Sequence, residues 1–137
     1  MIDTRTTVLA ACGVSGGVHL ALFATHATSL PAYAAAFLTA ALAAALAGLA
    51  VALRPQSEAP AGAALLFAVL LVAYALFKHE PFDFAAGLSK TVEAVGLVAA
   101  LRLRRRSGEL VEPASAFAVL AVCLAAGIML GGGHAHE

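Results

Sequence analysis

His19, Lys90 and Glu93 are ionisable residues set within stretches that are otherwise apolar. A charge at the centre of a bilayer costs roughly 2.5–3.5 kcal/mol on insertion scales, so such residues normally face a bundle interior and find partners there. Lys90 and Glu93 are three residues apart, which places them on one helix face where they can pair. Gly87, Ala94 and Gly96 lie near that face and let a neighbouring helix approach closely. Cys12, His19 and His26 recur every seven residues and form one stripe, with Ser15 and Gly16 between them. His19 and Glu93 both fall near the middle of their segments. The expected arrangement packs this stripe against the Lys90/Glu93 face, with His19 and Glu93 paired directly or through water. Three roles suit such a cluster: fixing helix register, carrying protons or ions, or holding a ligand.

The elements that must position these residues are transmembrane helices. Of the 137 residues, 62% are apolar and only 12% are charged. Soluble domains carry about 25% charge, so this chain is too poor in charge to cover a water-facing surface. The length fits one domain, residues 1–137. The net charge is zero, with no basic or acidic tail, and nothing points to nucleic acid as a partner. A spanning helix needs about 20 mainly apolar residues. Five segments approach that: 7–28, 32–53, 61–77, 84–103 and 114–130. Pro31 is placed to start the second, and Pro81 follows the end of the third because proline cannot continue a helix. The expected fold is an all-α polytopic bundle of five spans in a cell membrane.

Orientation follows from lysine and arginine. With the N-terminus inside, Arg5, Arg54 and Arg102, Arg104, Arg105 and Arg106 fall on the inner side, and Lys78 falls outside. A four-span arrangement, with 84–103 outside the bilayer, would strand the four arginines of 102–106 on the outer face. Five spans, N-terminus in and C-terminus out, are therefore expected. Leu9-Ala10-Ala11-Cys12 looks like a lipoprotein cleavage box. Processing there is not expected, because a signal peptide needs about 7–15 apolar residues before the cut, and Asp3 and Arg5 interrupt the short stretch available. Cys12 and Cys123 lie in apolar stretches and read as packing residues.

That topology gathers a histidine-rich outer rim. His26 ends the first helix, His79, Glu80 and Asp83 lie between the third and fourth, and His134, His136 and Glu137 follow the fifth. Imidazole and carboxylate suit zinc, copper or nickel, and Met129 and Cys123 could add soft ligands. A metal ion is thus a candidate cofactor, although no spacing matches a closed zinc site. Haem is disfavoured: His19 and His26 stand about 10.5 Å apart along one helix and cannot both ligate one haem. His26 with His79 is the remaining geometric option. No enzyme triad, phosphate loop or nucleotide fingerprint is present.

The pattern of His19-Leu20 with His26 one heptad on, a proline-started second helix carrying Phe37, and a fourth helix with a lone glutamate in Lys90-Thr91-Val92-Glu93 resembles a loose group of small, uncharacterised actinobacterial membrane proteins. It covers about residues 15–105. The chain departs from the group in having Lys90 near the glutamate and in lacking a polar loop between helices one and two. The resemblance implies a helix count and an interest in His19, His26 and Glu93, and no activity. The functional expectation is a non-enzymatic membrane protein, an accessory subunit of an inner-membrane assembly. The alternative is a small oligomeric proton or metal-ion transporter that uses the outer rim as its entrance. Lipid, membrane-protein partners or further copies of the chain are the expected partners.

Overall fold

A computed structural model describes residues 3–77, 84–105, 118–124 and 128, and all its regular structure there is helical. Four long helices are α1 (Thr4–His26), α2 (Pro31–Leu53), α3 (Ala59–Phe77) and α4 (Phe84–Arg105). A fifth helical stretch, α5, covers 118–124. The helices α1, α2 and α3 are long and apolar enough to cross a bilayer. The helix α4 has the length but carries Lys90, Glu93 and three arginines in its last turn.

Local chemistry sets the ends. The helix α1 begins three residues before the expected span because Asp3 caps it: its carboxylate accepts from the Thr6 amide at 2.8 Å and the Thr6 hydroxyl at 2.7 Å. This satisfies one of the orphan donors of the first turn. Pro31 opens α2 as expected. Ser57 accepts from the Ala59 amide at 3.1 Å, and α3 starts there, two residues before the expected position.

The helices form a ring in which α1 touches α2, α2 touches α3, α3 touches α4, and α4 returns to α1. Consecutive helices run antiparallel. The buried Arg5 donates to the Ala52 carbonyl at 2.5 Å, tying the start of α1 to the last turn of α2. A cation at those unsatisfied carbonyls also complements the helix dipole. Arg104 lies 3.7 Å from Glu58, tying the end of α4 to the start of α3. Arg5, Arg54, Arg102, Arg104 and Arg105 therefore share one end of the bundle, and His26 marks the other. The stretch α5 lies against α1 and α2, where Gly13 and Gly48 leave room for Cys123 and Leu120.

The distribution of side chains is inverted relative to a water-soluble bundle. On α2 the buried residues are Ala34, Ala41, Ala44, Gly48, Val51 and Ala52, while Leu42, Leu46, Leu49 and Leu53 are exposed. Leu65, Val69, Val72 and Leu76 form the same kind of exposed stripe on α3. Burying such a side chain is worth about 1.5–3 kcal/mol in water. Eight left outside would forgo on the order of 12–24 kcal/mol, comparable to the whole stability of a domain, about 5–15 kcal/mol. Conversely, α1, with its Ser, Thr, Gly and His residues, has 61% of its span buried against 28% for α2 and for α3.

Small residues make the close approaches possible. A Cβ on Gly96 would stand 2.6 Å from the Ala11 Cβ and 2.8 Å from the Phe67 ring, at the meeting of α1, α3 and α4. Gly62 has nothing within 4 Å. Gly96→Ala is expected to lower unfolding stability in detergent by about 1–3 kcal/mol through overpacking, whereas Gly62→Ala leaves it unchanged or raised. At the cap, burial pushes the Asp3 carboxyl up, but the Thr6 amide and hydroxyl and the Arg5 amide and charge outweigh it. They hold the group below its ordinary 3.8. Its contribution is present above pH 3.8 and lost as pH falls through the lower folded value. Asp3→Ala should cost about 1 kcal/mol at neutral pH, and the difference from the parent should shrink in acid melts.

Candidate functional site

The middle of the bundle is polar. Ser15 lies 11 residues from each end of α1, and Glu93 sits mid-way along α4. Both are fully buried. The Ser15 hydroxyl donates to Glu93 Oε1 at 2.9 Å. The Ser89 hydroxyl reaches the same oxygen at 3.5 Å, one turn earlier on α4. Lys90 Nζ donates to Glu93 Oε2 at 2.6 Å. Lys90 also stands 5.1 Å from the centre of the Tyr74 ring, a cation–π contact that brings α3 into the cluster. Two hydroxyls and one paired ammonium surround the carboxylate, as a buried charge requires.

His19 joins through Ser15. Its Nδ1 is 2.8 Å from the Ser15 carbonyl and 3.5 Å from the Ser15 hydroxyl. A carbonyl can only accept, so Nδ1 carries the hydrogen, and the neutral ring keeps Nε2 as its acceptor. The single Ser15 hydroxyl hydrogen goes to Glu93. In place of the expected direct or water-bridged His19–Glu93 pair, Ser15 stands between the two, its carbonyl accepting from His19 and its hydroxyl donating to Glu93, in the order His19–Ser15–Glu93–Lys90. His26 repeats the local pattern, with Nδ1 2.9 Å from the Leu22 carbonyl. The two imidazoles lie on either side of Phe37 from α2, at centroid distances of 6.1 Å and 5.5 Å.

Below this polar storey, toward the arginine end, the core is apolar. Val8, Leu9, Cys12, Val51, Phe67 and Leu103 belong to one buried cluster. Between α1 and α4 runs an open groove of about 690 Å³, which extends from Gly87 and Lys90 to Thr4 and Arg102. Lys90 therefore touches the buried carboxylate on one side and the groove on the other.

The expected metal rim is only partly within view. His79, Glu80, Asp83, His134, His136 and Glu137 lie outside the described residues, as do Lys78, Arg106 and Met129. Among the described residues no group of three His, Cys, Asp or Glu side chains is gathered. Ser89 and Tyr74 were not named from their sequence positions, and Ser15 and Arg5 were named without these roles. Ser89 and Ser15 stand four residues before Glu93 and His19, a spacing that could have identified both. Tyr74 and Arg5 gain their roles only through contacts between helices, which no local pattern encodes. No family model, curated protein or solved structure matches the chain.

Glu93→Gln keeps the side-chain shape but leaves the Lys90 ammonium without its counter-charge. Breaking one side of a buried pair costs about 3–5 kcal/mol, and the 17% exposure of Lys90 places the expected loss near the lower figure. Adding Lys90→Met should recover at least half of it. Circular dichroism through chemical unfolding in detergent measures both. A double variant as unstable as Glu93→Gln alone would show that the ion pair is not what matters.

Proposed function

We propose that the chain is an integral membrane protein that crosses an inner or plasma membrane five times, N-terminus inside and C-terminus outside, and works as a non-enzymatic accessory subunit of a larger assembly. The observation that carries the membrane reading is the inverted packing: leucine and valine stripes outside, small and polar residues inside. Where lipid is the surrounding solvent, helices associate through small-residue contacts and interhelical hydrogen bonds, and both are present here. The gathering of five arginines at one end supports the direction of crossing. The two further spans are α4, whose Lys90 and Glu93 neutralise each other, and the segment containing α5.

The accessory role rests on the state of the buried cluster. Both oxygens of Glu93 are taken by donors of the same chain, which suits an internal fastening between α1 and α4. The outward faces are then left for lipid and neighbouring spans. The likeness to small actinobacterial membrane proteins, carried by His19, His26, Phe37 and Glu93, belongs to this proposal as well. One observation favours a second reading, a proton or metal-ion carrier. Lys90 opens to the groove, so the chain from Lys90 to His19 connects the surface to the interior. Acid-pulse flux in proteoliposomes separates the two readings, since the accessory reading expects no flux above empty vesicles.

Three outcomes are expected for the leading reading. The chain stays in the membrane pellet after alkaline carbonate washing. In a Cys123→Ser background, Ser29→Cys reacts with a membrane-impermeant maleimide on intact cells, and Ser57→Cys reacts only after permeabilisation. Mild-detergent purification brings down a foreign membrane subunit in fixed stoichiometry. Release by carbonate would end the membrane reading, the reverse labelling pattern would invert the topology, and a homo-oligomer alone would favour the carrier.

A further inference from the structure

The groove between α1 and α4 has two kinds of wall. At the arginine end it is lined by Arg102, Thr4 and Thr7, and along its length by Val95 and Val98. The Thr7 hydroxyl donates to the Asp3 carbonyl at 3.1 Å, but a guanidinium beside the Thr4 hydroxyl is phosphate-binding chemistry, and an aliphatic trough leading away from it is acyl-chain chemistry. The charges also favour an anion. Lys90 is matched by Glu93 at 2.6 Å and Arg104 faces Glu58 at 3.7 Å. Among the described residues no carboxylate pairs with Arg102. From Arg102 to Lys90 the helix rises about 18 Å, close to the ~15 Å of hydrocarbon in one leaflet.

We infer that this groove seats an anionic phospholipid of the inner leaflet, with its phosphate against Arg102 and Thr4 and one acyl chain along Val95 and Val98. The inference rests on the membrane reading and on the direction of crossing proposed above. It adds a specific lipid site at the end where basic pockets between spans meet anionic headgroups. Arg104 serves as the internal control. It lies at the same end and contributes the same charge to the surface, but it does not line the groove.

The test is native mass spectrometry of the full chain in detergent, titrated separately with dioleoyl phosphatidylglycerol, dioleoyl phosphatidylcholine and inorganic phosphate. The chain is expected to retain phosphatidylglycerol in preference to phosphatidylcholine and not to retain inorganic phosphate. Arg102→Gln should weaken phosphatidylglycerol retention about fivefold, the worth of one basic residue near an anionic headgroup. Arg104→Gln should leave it unchanged. Val98→Trp, which fills the trough without altering charge, should also reduce it. Equal retention of the two lipids, or equal losses in Arg102→Gln and Arg104→Gln, would overturn the site in favour of general surface attraction. Retention of inorganic phosphate at the same level would overturn the acyl-chain part. A Val98→Trp variant that binds lipid normally but changes its oligomeric state would assign the groove to a second copy. Carbonate release of the parent chain would instead mark a failure of the membrane reading itself.

Discussion

A carboxylate in the middle of a bundle with aliphatic outer faces must be surrounded by donors, and the arrangement of α1, α3 and α4 follows from that need. Glu93 takes hydrogen bonds from Ser15 on α1 and from Ser89 and Lys90 on its own helix. Lys90 in turn lies over Tyr74 of α3. Sliding α1 by one turn would move Ser15 about 5.4 Å along the axis and leave Glu93 Oε1 with only the longer Ser89 contact. Apolar packing tolerates several registers at similar energy, whereas a buried hydrogen bond tolerates one. The cluster thus fixes a choice that Ala-rich surfaces leave open.

The remaining contacts fit around this constraint. Gly96, one turn beyond Glu93 on the same buried face of α4, lets Ala11 and Phe67 meet the backbone. Gly13 and Gly48 admit Leu120 and Cys123 of α5 at van der Waals range. At the arginine end, Arg5 closes α1 onto α2 through the Ala52 carbonyl. The large aliphatic side chains are then left for the outside, where α2 and α3 carry them in stripes. The same division explains why α1, in contact with α2, α4 and α5, is the most enclosed of the three most apolar helices.

Much of this was legible in the sequence because it is local. Pro31 marked the start of α2, and Lys90 and Glu93 at three-residue spacing predicted their ion pair. The placement of arginines along the chain predicted the shared basic end that Arg5, Arg54 and Arg102 form. The start of α1 was missed by three residues because Asp3 was read as a charge outside the span, although Asp-x-x-Thr is a usable cap. Ser15 was placed in the stripe of Cys12, His19 and His26, and its hydroxyl's role as connector needed α4 in place. Tyr74 and the buried position of Arg5 are tertiary in origin. Their neighbours are 16 and 47 residues away along the chain, beyond any periodicity.

The central claim is that the hydrogen bond between Ser15 and Glu93 fastens α1 to α4 inside the bundle. A double-mutant cycle with Ser15→Ala and Glu93→Met, each of which removes one partner of the bond, followed by reversible unfolding in detergent, measures that fastening directly. Hydrogen bonds between membrane helices average about 0.6 kcal/mol and reach about 1.7; a charged acceptor places the expected coupling in the upper half of that range. Additive losses, with a coupling indistinguishable from zero, would contradict the account and leave helix packing alone to set the register.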